Sequence, residues 1–385
     1  MTTTFASLGL AEDICLALEE RGIHSAFPIQ EMTIPDILAG RDVCGKARTG
    51  SGKTLAFGLP LLQTLPRAKS GRPTGLALVP TRELATQVRD ELTGAAHARG
   101  VRIASIYGGD PMEKQIKALR DGVDFAVCTP GRAIDLIERG DLCVADVSHV
   151  VIDEADRMAD MGFLPQVEWI LRNVEGKHQT LLFSATLDGV VDGLIRRYQH
   201  EPARHEIDDK GVSLEKMTHV FLQVHEMDKA KVAAAIIQGA SRTIVFSATK
   251  HGADRLARKL EEQGVVAKAI HGDLRQNMRE RSLHDFSKGK VQALVATDVA
   301  ARGIHVDDVD VVIHYDPPND HKTYVHRSGR TARAGESGVV VSLLLWNQEL
   351  EVRRMQKRLG LEIPAIEVFS NDPRLADLHR FTDAG

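Results

Sequence analysis

Aromatic residues are scarce, at 4% of the 385-residue chain, with two Trp and four Tyr. A platform of rings on which successive bases stack is therefore not expected to dominate any nucleic-acid contact. Cysteine is nearly missing as well. Cys15, Cys44, Cys128 and Cys143 lie far apart and form no CxxC pair. That speaks against a zinc site or a disulfide framework and suits a reducing compartment. No apolar run approaches the length of a membrane span, and the opening MTTTFASLGLAEDIC lacks the basic-then-apolar layout of a secretory signal. No membrane partner and a cytoplasmic location are expected. A large charge of either sign is also lacking: the formal net charge is −4. This argues against an indiscriminate polyanion binder and leaves room for a local basic channel.

What the chain does have is a regular alternation. Short apolar segments, TGLALVP (74–80), VRIASIYG (101–108), DFAVCTP (124–130), HVVIDE (149–154) and QTLLFSAT (179–186), are separated by helix-like stretches such as TRELATQVRDELTGAAHARG (81–100). That is the pattern of an α/β fold with a parallel sheet covered on both faces. The polar segment HEIDDKGVSLEK (205–216) interrupts it, after which HVFLQV, RTIVFSAT, VVAKAIHG, VQALVATD, DVVIHYD and SGVVVSLLL resume it. The boundaries expected are a first domain at 1–206, a linker at 207–216, a second domain at 217–370 and a short tail at 371–385. QTLLFSAT and RTIVFSAT end alike, either by chance or as a trace of a duplicated sheet unit.

ARTGSGKT, Ala47 to Thr54, follows strand-like DVCG and precedes helix-like LAFGLPLLQTL. That context makes it a phosphate loop, with Ala47 where the pattern usually has Gly. Thr49, Gly50, Ser51, Gly52, Lys53 and Thr54 form the expected cradle. Glycines let backbone N–H groups reach phosphate oxygens, Lys53 brings a point charge to the β- and γ-phosphates, Thr54 offers a hydroxyl to Mg²⁺, and the helix start adds its positive dipole end. This gives a reason for HVVIDEAD, where a buried strand runs into three carboxylates. A metal ion on a bound nucleotide needs an acid at the C-terminal end of a neighbouring strand. Asp153 suits that task through a water, and Glu154 suits orienting or deprotonating an attacking water.

The second lobe has no GKT. It has YVHRSGRTARAG (324–335), with His326, Arg327, Arg330 and Arg333 close together. On a helix Arg327, Arg330 and Arg333 would share a face. Such a face is either solvated or meets anions, and an arginine finger on a γ-phosphate contributes about 10³–10⁵ in kcat. With fingers on one lobe and the phosphate loop on the other, ATP would hold the lobes together and hydrolysis would release them.

Taken in order, GIHSAFPIQ (22–30) with Phe5 upstream, ARTGSGKT, PTRELA (80–85), the GG pair at 108–109, TPGR (129–132), DEAD and SAT (184–186) resemble the DEAD-box RNA helicases of the compact bacterial kind. VFSAT (245–249), RQNMR (275–279), ATDVAARGI (296–304) and HRSGRTAR (326–333) extend the resemblance to about residue 345. It implies two tandem RecA-like domains, ATP and Mg²⁺ as cofactors, and RNA as partner, RNA–protein and ribosome-assembly complexes included. It further implies that Gln30 reads the adenine edge and Phe5 stacks on the base. Lys53, Asp153, Glu154, Arg330 and Arg333 would carry the hydrolysis, and Ser184 and Thr186 would couple Asp156 to His326. Pro80, Thr81, Arg82, Gly109, Thr129, Gly131 and Arg132 would touch the RNA backbone on the first lobe. Thr249, Arg279, Thr297 and Gly303 would do so on the second.

Two positions depart from the family pattern. Ala26-Phe27 stands where Pro-Thr is usual, and His305 where an Asp approaches the ATP ribose. A neutral His can still hydrogen-bond a hydroxyl, though a charge-assisted bond is about twice as strong. Beside an RNA helicase or remodeller stand three other readings: a DNA-directed helicase of the same superfamily, an ATP-gated RNA clamp, and a scaffold with a vestigial ATPase.

Overall fold

A computed structural model of the chain describes residues 3–47, 50–187, 189–207, 217–301, 309–318, 320–331 and 338–381. The chain divides into two units, Met1–Asp209 and Lys210–Gly385.

The first unit holds strands β1 (Val43–Lys46), β2 (Gly75–Leu78), β3 (Ile103–Ile106), β4 (Phe125–Cys128), β5 (His149–Asp153), β6 (Gln179–Ser184) and β7 (Ala203–Glu206). They form one parallel sheet in the order β3-β4-β2-β5-β6-β1-β7. Inner strands such as GLAL, FAVC and QTLLFS bury every residue, as strands covered on both faces must. Successive side chains point to opposite faces. Val151, Leu181 and Phe183 therefore join the core under helices Lys53–Thr64 and Arg82–Ala98, while Val150, Ile152 and Leu182 join the core under Pro130–Glu138 and Leu164–Asn173.

The second unit repeats the plan with β8 (Thr218–Gln223), β9 (Thr243–Phe246), β10 (Ala267–Ile270), β11 (Ala293–Ala296), β12 (Val311–His314), β13 (Val339–Leu344) and β14 (Ala365–Glu367). Its order, β10-β11-β9-β12-β13-β8-β14, matches the first strand for strand. The duplication is therefore real at the level of the sheet. The FSAT likeness is not its trace, because QTLLFSAT is β6, whose counterpart is β13, whereas RTIVFSAT is β9, whose counterpart is β2.

Strand β7 ends at the expected first-domain boundary of 206, and the expected tail boundary shifts. His205 and Glu206, inside the polar segment 205–216, belong to β7. An edge strand needs only one covered face: Ala203 is buried, Glu206 pairs with Lys46 at 3.1 Å, and the His205 ring meets Asp36 at 2.6 Å. Residues 208–216 of the linker lie outside the described residues. Residues 371–381, expected as a tail, pack on the second unit. Leu375, Leu378 and Phe381 are buried in the second unit's core beside Ile236, Ile237 and Val368.

Candidate functional site

The phosphate loop leaves β1 and ends where helix Lys53–Thr64 begins. Gly52 has φ +85° and a Cβ there would run into the Gln30 amide, so the position excludes a side chain twice over. Gln30 is buried and bridges two elements. Its Oε1 accepts from Phe27 N–H at 2.8 Å and its Nε2 donates to the Gly52 carbonyl at 3.0 Å. Lys53 is buried, and its Nζ donates to the Ala47 carbonyl at 2.9 Å. The Thr54 hydroxyl hydrogen-bonds the Glu91 carboxyl, whose pKa is raised by burial.

Facing this loop in the sheet are the ends of β5 and β6. Asp153 is 2% exposed and its carboxylate accepts from Glu154 N–H at 2.9 Å. Burial pushes its pKa up to about 7, with Lys53 opposing and Glu154 and Asp156 adding repulsion. Glu154 takes a left-handed backbone with φ +54°, an uncommon conformation for a residue with a side chain. Its carboxylate is paired with Arg157 at 2.5 Å, both side chains being nearly buried. Ser184 joins the parts: its carbonyl accepts from Ala47 N–H at 3.0 Å and its hydroxyl from Asp156 N–H at 3.1 Å. Thr186 is exposed just beyond.

In the second unit helix His321–Ser328 stops at Gly329. Arg327 lies on the helix and Arg330 past its end, so these two do not share one helix face as their spacing suggested. Arg327 turns inward, 4% exposed, and grips Asp298 with Nε and Nη2 at 2.6 and 2.9 Å. Arg330 lies past the helix end and is buried, whereas His326 is exposed. Thr49, Gly303, His305 and Arg333 lie outside the described residues.

Those of the expected RNA-contacting positions that are described follow three adjacent strands in each unit. In the pairing registers Leu78 corresponds to Phe246 and Cys128 to Ala296, which makes Thr81 the counterpart of Thr249 and Thr129 that of Thr297. Thr81 and Thr249 do the same local work: each caps the following helix, accepting from Leu84 N–H at 3.3 Å and Gly252 N–H at 3.0 Å. Pro80 is buried behind Thr81, and Arg82 reaches the Gly108 carbonyl at 3.4 Å. Gly109 has φ +91°, with Arg82 where a Cβ would go. Gly131 is exposed at the start of helix Pro130–Glu138, while Arg132 donates to Gln115 Oε1 at 3.1 Å. Arg279 and Thr297 are buried, and Thr249 is exposed.

The DEAD/DEAH box helicase family model matches residues 27–193, and the Helicase conserved C-terminal domain model matches residues 228–335. The chain is 42% identical over 344 residues to the DEAD-box ATP-dependent RNA helicase CshA of Geobacillus kaustophilus, covering 89% of this chain and 73% of that protein. To CshA of Listeria monocytogenes it is likewise 42% identical, covering 66% of that protein. Over much of their length it thus runs beside these relatives, but it spans only about two thirds to three quarters of them. This is a DEAD-box RNA helicase family member. Among solved structures, S. cerevisiae Dbp5 bound to RNA and ADP BeF3 superposes with a TM-score of 0.85 at 29% identity, over 98% of this chain and 99% of that one. A DEAD box protein from Methanococcus jannaschii gives 0.53 at 34% identity, over 95% and 99%. The tandem parallel sheets are therefore the RecA-like pair of this ATP-hydrolysing family.

Phe5 is 3% exposed within the first unit's core, so its ring presents no open face in this structure. The exposed ring is Phe27, 54% exposed, with Cδ2 2.7 Å from where a Gly52 Cβ would lie. Several partners escape motif reading. Gln115 holds Arg132 through its Oε1 and donates its Nε2 to the Tyr107 carbonyl at 3.0 Å. Arg157 could have been found as the i+3 cation after Glu154. Glu91 and Asp298 carry no local signal.

Proposed function

We propose that the chain hydrolyses ATP in response to RNA, and uses the cycle to close and reopen its two lobes, separating short duplexes or remodelling RNA–protein complexes, ribosome-assembly intermediates included. The observation that carries this reading is the convergence, at the ends of β1, β5 and β6, of Lys53, Asp153 and Glu154 around a glycine-bearing loop. In this reading Lys53 and the first turn of Lys53–Thr64 bind the β- and γ-phosphates, and Gln30 recognises adenine while sensing the loop through the Gly52 carbonyl. Glu154 takes the proton of the attacking water. Burial raises the Asp153 carboxyl toward neutrality, with Glu154 and Asp156 adding repulsion, and a nearby divalent cation would favour its charged form. Thr54 and Asp153, the latter through water, would hold Mg²⁺, which when bound supplies charge neutralisation for the phosphates. Arg330 and Arg333 offset charge on the γ-phosphate, and His305 approaches the ribose. Ser184 and Thr186 link Asp156 to His326.

RNA binds through its backbone. Thr81, Gly109, Thr129, Thr249 and Thr297 sit at strand ends or helix starts, where N–H groups and hydroxyls meet phosphate and sugar without reading bases. RNA and ATP meet in the cytoplasm, the compartment this reading assigns. The test is strand separation of a short RNA duplex, with ATP or a non-hydrolysable analogue, against a DNA duplex of the same sequence. ATP-dependent separation of the RNA alone is expected. Equal separation of the DNA would favour the DNA-directed reading. RNA capture without separation would favour the clamp.

A further inference from the structure

The second unit keeps a counterpart of the phosphate-loop lysine. Helix Lys53–Thr64 follows β1, and helix Lys229–Gln238 follows β8, which occupies the same place in its sheet. Both helices open on a lysine. By the pairing registers Ile152 corresponds to His314, so Asp316 stands where Glu154 stands in the first unit. Lys229 is 4% exposed, with Nζ 3.8 Å from Asp316 Oδ1 and over the Tyr315 ring. The intervening residues 224–228, VHEMD, contain no glycine and two acids. They cannot form a cradle for phosphate, and the lysine's charge is directed to Asp316.

Asp316 in turn holds the loop after β9. Its Oδ2 accepts from Ser247 Oγ at 3.1 Å and from Ala248 N–H at 2.8 Å. Ala248 immediately precedes Thr249. The Asp316 carbonyl accepts from Arg327 Nη1 at 2.6 Å, and Arg327 grips Asp298, the neighbour of Thr297. Two cations and two anions thus tie the ends of β9, β11 and β12 together, with no net charge.

We infer that Lys229 and Asp316 are positioning residues for RNA, a nucleotide-loop pair turned into an anchor for the Ser247–Thr249 loop. The inference rests on the reading of Thr249 as an RNA contact. A hydrogen bond to a charged acceptor fixes its donor more firmly than a neutral one. Loss of the anchor therefore weakens presentation of the Thr249 hydroxyl and its neighbouring amides.

The test is RNA-stimulated ATP hydrolysis by the full chain, titrated with single-stranded oligouridylate and separately with ATP. In Asp316→Asn, and in the charge-balanced double variant Lys229→Met/Asp316→Asn, half-saturating RNA should rise about five- to tenfold, with KM for ATP within about twofold. Ser247→Ala keeps every charge and guards against misfolding; it should raise half-saturating RNA about threefold. Asp316→Glu should restore part of the loss. Thr249→Val separates the two levels of the claim. If it raises half-saturating RNA while the Asp316 and Ser247 variants do not, the anchor is overturned and the interface reading stands. A fall in kcat with half-saturating RNA unmoved would mark a merely structural role and overturn it too. If Thr249→Val itself changes nothing, the interface reading fails and takes the anchor with it.

Discussion

The two units have the same sheet and different chemistry. Their seven strands run in one order, Thr81 matches Thr249 and Thr129 matches Thr297, and the second pair ends its strands with the same backbone bond: Thr129 N–H to the Ile106 carbonyl, Thr297 N–H to the Ile270 carbonyl. They part at the loop after the strand shared by β1 and β8. In the first unit it spans 47–52 and carries Gly50 and Gly52 at positive φ. In the second it spans 224–228, is one residue shorter, has no glycine, and carries Glu226 and Asp228, whose charge opposes phosphate. Asp228 is committed elsewhere, accepting from Ser370 N–H and Oγ at 2.6 and 2.9 Å. Strand order determines where a ligand can bind, at the C-terminal ends of the strands. A few loop residues determine whether phosphate is bound there.

The largest effect should come from exchanging register-equivalent acids. Glu154→Gln should lower RNA-stimulated kcat about a thousandfold, within the range for loss of a general base. Asp316→Asn, one unit away, should leave kcat within a few-fold; steady-state turnover at saturating RNA reads both. Next come the paired lysines. Lys53→Ala should reduce kcat/KM for ATP by about 10²–10³, whereas Lys229→Met should not. Comparable losses from the two lysines would mean that the second unit also handles nucleotide.

Acid should weaken both units through a neutral histidine, half-buried in the first and buried in the second. His149 at the start of β5 has its pKa lowered by burial from 6.5 to about 4, and His314 at the end of β12 is also held well below its usual range by burial. Between those values the unfolded chain binds a proton that the folded chain refuses. Stability is therefore lost as pH falls from 6.5 toward 4, by up to about 3 kcal/mol for His149. Urea midpoints at pH 7.5 and 5.0 should differ, and His149→Gln should narrow the gap. The smallest effect is the most symmetrical. Thr81→Val and Thr249→Val each remove a helix cap and should cost about 1 kcal/mol by urea denaturation. A marked inequality would mean that the two caps are not equivalent.

The inner strands and the motif loops were readable because each leaves a local mark. A strand buried on both faces is apolar throughout, as in QTLLFS, and a phosphate loop has fixed spacing before a helix. The edge strands β7 and β14 were not, because ARHE and AIE bury little and look like loop. The tail misled for a related reason: Leu375, Leu378 and Phe381 are single apolar residues among charges, and only the fold shows that they meet one core. Gly329 was a readable stop signal for the arginine helix, which the i, i+3 spacing alone passed over. The pairs Glu154–Arg157, Asp298–Arg327 and Asp316–Lys229 differ in legibility. The first is a helical i+3 pair, while the others join residues 29 and 87 positions apart, by subtraction of their numbers.

The central claim is that RNA switches on hydrolysis at a single nucleotide site in the first unit. Steady-state ATP turnover without nucleic acid, with RNA and with matched single-stranded DNA, for the native chain and for Glu154→Gln, tests it most directly. The account predicts strong stimulation by RNA alone, abolished in Glu154→Gln. Equal stimulation by DNA, or full RNA-stimulated turnover in Glu154→Gln, would contradict it.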